Sequence, residues 1–339
     1  MDTSASTDER ISYISFTASK WEYFKLWIVN MVLTVVTLGI YSAWAKVRNT
    51  QYIYGHTQVE GHRLQYLATP MQLLKGRLIA LVFFIAYMVL SSLIPMLGLF
   101  LALLVWLATP YLMYQGLRFN LRQTAYRNVR FGFTGSVKGA YMNFLLLPLL
   151  SMLTLGLALP WVLCRISRYI YNNLKFGDHS FEAKLSNKVF YKAAGIAFLV
   201  FMVPMVVFFF MAFQTVSNGP SFALIMSSYV MLFVAFGVYS VMIRNHILNA
   251  LEAHNLVKFE SNLRLDSYLG VMATNALIVT FTLGLGYPVA EVRHKKLLAD
   301  ATRVHLYPEI DNLVASSGEL DSAFGEELSG FFDSDLSLT

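Results

Sequence analysis

Charged and apolar positions are segregated along this chain. Five stretches, 26–45, 78–117, 139–164, 193–243 and 267–290, contain no Asp, Glu, Lys, Arg or His. About 20 helical residues cross a 30 Å hydrocarbon core, so charge-free runs beyond roughly 18 residues are candidate membrane spans. The two longest runs each hold two spans, Leu78–Leu93 with Leu97–Tyr114 and Ala193–Phe213 with Phe222–Ile243. Short polar turns, "SSLIP" and "QTVSNGPS", divide them. The pattern predicts an all-α polytopic membrane protein, a helical bundle.

The three shorter runs share a motif. "TLGIYSAWAKVR" (Thr37 to Arg48), "TLGLALPWVLCR" (Thr154 to Arg165) and "TLGLGYPVAEVR" (Thr282 to Arg293) each break an apolar segment at a glycine and end in arginine. Aligned on Thr-Leu-Gly, the first two units match from "FTASK" and "FTGSV", 21 residues upstream, to His62 and His179, 25 downstream. Trp44 matches Trp161, and Tyr52 matches Tyr169; the third unit keeps Arg293 but has Val289 for the Trp, and its upstream "FESNL" matches poorly. The predicted plan is an internal repeat, with units at about 13–66, 130–184 and 259–300 separated by span pairs 78–114 and 193–243.

Gly39, Gly156 and Gly284 are predicted helix breaks, because glycine weakens a helix and adopts the conformations that end one. Pro160 and Pro288 stand four residues further on, suited to the first turn of a new helix. Charge decides between two topologies. Lys and Arg number five in 45–77, five in 118–140 and six in 165–192, whereas the turns at 91–98 and 214–221 carry none. Basic loops stay cytoplasmic, so both flanks of the second unit belong on that side. This favours four full spans plus three re-entrant hairpins over seven crossings with inverted repeats. Alternating "ISYISFT" and "VRFGFT" predict strands before the units. "HTQVEGHRLQY" and "LKFGDHSFEAK" predict small cytoplasmic β-hairpins turning at Glu60-Gly61 and Gly177-Asp178.

The chain has 339 residues, 56% hydrophobic and only 14% charged, against about 25% charged in an average soluble domain. The N-terminus "MDTSASTDER" lacks the layout of a cleaved signal peptide, so the first span is expected to serve as the insertion signal. Residues 1–12 read as a polar tail and 13–308 as the membrane domain. Segment 309–339, with eight acidic and no basic residues, reads as an acidic disordered tail. Without it, 26 basic residues face 12 acidic ones. The single cysteine, Cys164, excludes an intramolecular disulfide.

The stretches "FTASKWEYFKLWIVNMVLTVVTLGIYSAWAKVRNTQYIYGHTQVEGHR" and "ATPMQLLKGRLIA", with "TLGLALPW" and "RYIYNNLKFGD" in the second repeat, resemble the YjgN-like family of Gram-negative inner-membrane proteins. The likeness covers about residues 13–300 and leaves the tails outside. It implies a multi-pass protein of the bacterial inner membrane, and it brings no catalytic residue to this chain. Ala18 and Ala43 stand where the second unit has Gly135 and Pro160, which predicts a less sharply bent first unit.

Arg48, Arg165 and Arg293 recur at one position of the motif. Two readings compete: interfacial anchors snorkelling beside tryptophan, or a converging site for anionic lipid headgroups or another anion. Asn30 and Asn275, each seven residues before its Thr, are predicted intramembrane polar residues, bonding between helices or lining a polar path; unit two has Leu147 there. His56, His62 and His179 read as turn residues, without metal-site spacing. No phosphate-binding glycine loop or Gly-x-Ser-x-Gly elbow is present, and no cofactor is expected. The expected partners are membrane lipids, and no nucleic acid. The predicted spans contain no ionisable residue, which disfavours a proton-driven pump. The leading expectation is passive or lipid-linked transport with an arginine-rimmed cytoplasmic anion site. The alternative is a structural or regulatory envelope protein, and an enzyme acting on lipid headgroups ranks third.

Overall fold

The computed structural model describes residues 9–214 and 222–313. Residues 1–8, residues 215–221, where a polar turn was expected, and residues 314–339 of the expected acidic tail lie outside the described residues.

Two helical hairpins are long. Helix α3 (Pro70–Leu93) starts on a capping box, Thr69 with Gln72, and Pro95 opens α4 (Pro95–Arg122) directly after it. Helices α8 (Asn187–Gln214) and α9 (Phe222–Asn249) form the other long pair. At 24 to 28 residues, each is about 36–42 Å long. These four are long and apolar enough to cross a membrane.

Three hairpins are short, and they share one layout. The first is α1 (Lys20–Val36) and α2 (Ser42–Gly55). The second is α5 (Val137–Tyr141), a π-helical turn (Met142–Leu146) and α6 (Leu147–Leu153), followed by α7 (Leu159–Tyr171). The third is α10 (Leu265–Phe281) and α11 (Tyr287–Asp300). In every case the first arm begins 17 residues before the Thr of Thr-Leu-Gly. A strand ends 21 residues before that Thr, at Phe16, Phe133 and Ser261, and another begins 20 after, at Thr57, Leu174 and Thr302. The third unit therefore has the layout of the other two, although its upstream sequence diverges.

The strands overturn the expectation of an all-α bundle. Eleven of them form one antiparallel sheet in the order β1-β11-β10-β9-β8-β7-β6-β5-β4-β3-β2. Strands β1 (Arg10–Tyr13) and β2 (Ser15–Phe16) are halves of one extended segment joined at Ile14. β1 pairs with β11 (Thr302–Leu306) and β2 with β3 (Thr57–Val59), so the two ends of the sheet meet in a nearly closed, barrel-like ring. The other strands are β4 (His62–Tyr66), β5 (Thr124–Tyr126), β6 (Val129–Phe133), β7 (Leu174–Phe176), β8 (His179–Ala183), β9 (Leu251–Ala253) and β10 (Val257–Ser261). The physical reason for the correction is the return of each helical hairpin beside its own exit. Every hairpin stands in place of a turn between neighbouring antiparallel strands, and short β-turns link those pairs into a ring.

This connectivity puts all five helical hairpins on one rim. The tight turns, including Glu60-Gly61 and Arg127-Asn128 with both φ values positive, lie on the other. The inside of the ring is filled. Tyr126, Phe176, Phe181, Ala253 and Val304 are buried there, with Leu64, Phe131 and Phe259 packed against them. Residues 307–313 close the turn side. The Tyr307 N–H donates to the Leu256 carbonyl at 3.0 Å, Ile310 is buried, and Asp311 pairs with Arg10 at 2.5 Å and Arg127 at 2.7 Å.

Candidate functional site

At each Thr-Leu-Gly tip the backbone reverses through two successive positive φ values. They are 49°, 52° and 50° at Leu38, Leu155 and Leu283, then 91°, 84° and 91° at Gly39, Gly156 and Gly284. The glycine N–H donates to the carbonyl five residues back, and the leucine N–H to the one three back; this is the Schellman helix end. The Thr hydroxyl donates to its own helix, at 2.7 Å to the Leu33 carbonyl, 2.8 Å to Ser151 and 2.6 Å to Ile278. Its oxygen accepts from the N–H four residues on, at Tyr41, Ala158 and Gly286. Pro160 and Pro288 sit in the first turns of α7 and α11, where a missing N–H costs nothing. Ala43, at the equivalent place in α2, is fully buried.

The polar residues in the arms tie each hairpin to itself. Asn30 donates to Asn49 Oδ1 at 2.8 Å and its own Oδ1 accepts from the Tyr41 hydroxyl at 3.4 Å. Asn275 donates to the Ala290 carbonyl at 3.0 Å, and its Oδ1 is buried without a partner among the described residues. The arginines are held within their own units as well. Arg48 donates to the Tyr41 hydroxyl at 2.8 Å, Arg165 lies 5.6 Å from the Trp161 ring centre, and Arg293 donates to Thr274 Oγ1 at 2.7 Å. Arg48 and Arg165 are exposed and Arg293 is half-buried.

The hairpins pack side by side around the rim, and the first and third short hairpins meet where α1 lies against α11. The Tyr23 hydroxyl, donating to Glu291 at 2.8 Å, fixes that seam. Beside it a cavity of about 710 Å³ opens between the start of α1 and the arms of the third hairpin. Lys20, Arg293 and Lys296 line it against a single acid, Asp300, with Trp21 at its edge. Lys20 and Lys296 were not candidates at the level of sequence; nothing there linked the start of unit one to the end of unit three.

His56 Nδ1 lies 2.7 Å from the Tyr52 carbonyl and His62 Nδ1 2.9 Å from that of Glu60, while His179 is exposed at the start of β8. No group of three His, Cys, Asp or Glu side chains among the described residues is placed to hold a metal. Cys164 is buried.

Residues 12–331 match the family model described as "Bacterial protein of unknown function (DUF898)". Among curated proteins, the chain is 25% identical over 328 residues to Inner membrane protein YjgN of Escherichia coli strain K12, covering 80% of this chain and 82% of the relative. The Salmonella typhimurium protein of the same name is 26% identical over 373 residues, 93% of each chain. That of Escherichia coli O157:H7 is 24% identical over 328 residues. No solved structure matches. With a family model matched from the first strand to well past the last, this chain belongs to the DUF898 family.

Proposed function

We propose that the chain is a multi-pass protein of the bacterial inner membrane with a lipid-linked role, taking anionic headgroups from the cytoplasmic leaflet at its basic hairpin rim. In this reading α3, α4, α8 and α9 cross the bilayer, and the three Thr-Leu-Gly hairpins are copies of one re-entrant unit. Arms of 17 residues reach only about 26 Å, too short to cross and return with a margin. The tips are apolar and bare: Leu38, Leu155 and Leu283 are 94–95% exposed, a face suited to hydrocarbon. The ring lies in the cytoplasm, beside the basic loops, and the names of the relatives support the inner membrane as the compartment.

The observation that carries the headgroup reading is the cavity holding Arg293, Lys20 and Lys296 beside Trp21. Three cations against one carboxylate suit phosphate, and tryptophan favours the interfacial level. A second reading, a structural or regulatory membrane protein, draws on the ring, whose inside is packed with buried side chains.

Lysine keeps charge but loses the planar fork that grips phosphate through two bonds. Replacing Arg48, Arg165 and Arg293 together with Lys should strip co-purifying phosphatidylglycerol, read by native mass spectrometry, while insertion is retained. Equal retention by wild type and variant would leave the arginines as anchors and favour the second reading.

A further inference from the structure

The rim cavity of about 710 Å³ holds one group that a plain anion site would do without, the carboxylate of Asp300. Arg293, Lys296 and Asp300 stand at i, i+3 and i+7 on α11, so one face of the helix brings all three to the same void. Lys20 adds a third cation from the start of α1. Lys20, Lys296 and Asp300 are exposed. None of the ion pairs among the described residues includes any of these four side chains. The hydrogen bond from Arg293 goes to the neutral Thr274 hydroxyl at 2.7 Å. Arg303, on the far side of Asp300, lies over the Tyr13 ring, 5.1 Å from its centre.

Asp300 therefore faces the void without a partner cation, and its position favours neither the helix nor an anion. An acid in the last turn of a helix opposes the dipole, and a carboxylate beside a phosphate repels it. What an ionised carboxylate can do there is accept hydrogen bonds. Helix α11 runs from the hairpin tip toward the ring, where β11 begins at Thr302. At the helical rise, Asp300 lies about 6 Å beyond Lys296 and about 10 Å beyond Arg293 along that axis. In the topology proposed above, this is the direction in which a lipid headgroup extends past its phosphate.

We propose that the cavity selects a phosphodiester whose head carries uncharged hydroxyl groups, with the phosphate on Arg293 and Lys296 and the hydroxyls donating to Asp300. Among bilayer lipids that chemistry is phosphatidylglycerol. An ammonium head would also meet Asp300, but it would stand one turn from Lys296, and three cations against one acid favour a lipid of net negative charge. This selectivity presupposes the headgroup reading of the cavity and gives Asp300 its part in it.

Phosphatidylglycerol and phosphatidylmethanol with the same acyl chains carry the same charge, and only the first has hydroxyls. The full chain is exchanged into micelles holding equal amounts of both, with phosphatidylethanolamine and phosphatidylcholine as zwitterionic competitors. Bound lipids are then counted by native mass spectrometry. Wild type should retain phosphatidylglycerol roughly tenfold over phosphatidylmethanol, the worth of one hydrogen bond to a charged acceptor. Asp300→Ala should bring that ratio to about one, while total anionic lipid stays level or rises because a repelling charge is gone. Its unfolding midpoint should not fall, since the helix loses an unfavourable end charge. Equal retention of the two anionic lipids by wild type, or an unchanged ratio in Asp300→Ala, would overturn the role of Asp300 and leave the headgroup reading standing. Retention of phosphatidylethanolamine above phosphatidylglycerol would overturn it in favour of an ammonium head. If neither anionic lipid outcompetes phosphatidylcholine, the headgroup reading falls and the selectivity with it.

Discussion

A threonine hydroxyl at a hairpin tip meets two demands that water meets elsewhere. Thr154 donates back to the Ser151 carbonyl at 2.8 Å and accepts from the Ala158 N–H at 3.0 Å, so the reversal leaves few backbone groups seeking a partner. That matters for a tip that the proposed topology places in hydrocarbon, where an unmet group is expensive. Thr154→Val keeps the shape and removes both bonds; it should lower stability by about 1–3 kcal/mol, measured by thermal unfolding in detergent, while Thr154→Ser stays close to wild type. Gly156 has φ +84°, where an added Cβ is strained whatever the space. Gly156→Ala should therefore cost about 1–2 kcal/mol, and an unchanged or raised midpoint would count against the bend. The glycine's part was legible, because only its conformational freedom explains a break inside an apolar run. The leucine was not: a Leu at φ near 50° has no signature until the helix end around it is seen. The last predicted span ends at Ile243, where the charge-free run ends, whereas α9 continues to Asn249.

Among elements, the hairpin is the repeated device, and its two ends share a rim. The second short hairpin leaves β6 and returns to β7, which pair directly through Phe131↔Phe176 and Phe133↔Leu174. Single cysteines at Val137 and Ser180, in a Cys164→Ser background, should thus show one sidedness. Both should resist an impermeant thiol reagent in intact spheroplasts and react once the membrane is opened. Labelling of one alone would restore a single crossing and invert the repeats. The four long helices were legible from charge-free length, since nothing else keeps 40 residues free of ionisable groups. The strands were legible only locally. Runs of two to five residues carry a period-2 pattern too short to name a distant partner. The hairpins at Thr124–Phe133 and Leu251–Ser261 were therefore not predicted as hairpins.

For the molecule as a whole, the ring gathers the ten helical arms of the described residues into five units fixed at their bases, a design that composition conceals because most of the chain is helical. Its turn-side mouth is closed by a short segment that depends on charge. The hydrogen bond from Arg127, aided by Arg10, holds the Asp311 carboxyl below its ordinary range. A carboxylate depressed by folding stabilises fully above its unfolded value of about 3.9, and that contribution is lost as pH falls through the lower folded value. Acidification should therefore release the segment, read as protease access beyond Leu306, and Asp311→Asn should flatten the response by releasing it at neutral pH already. Ring closure also orders events in time. Arg10 pairs with Leu306 and Tyr13 with Arg303, so the first strand made is completed by the last. A ribosome working from the N-terminus delivers all five hairpins before β11 exists. Until then β1 has no paired neighbour and β10 has one open edge, and a chain stopped anywhere short of Thr302 keeps those edges open. Such edges invite pairing with other chains. The ring is sealed only once β11 has been made, after all five hairpins.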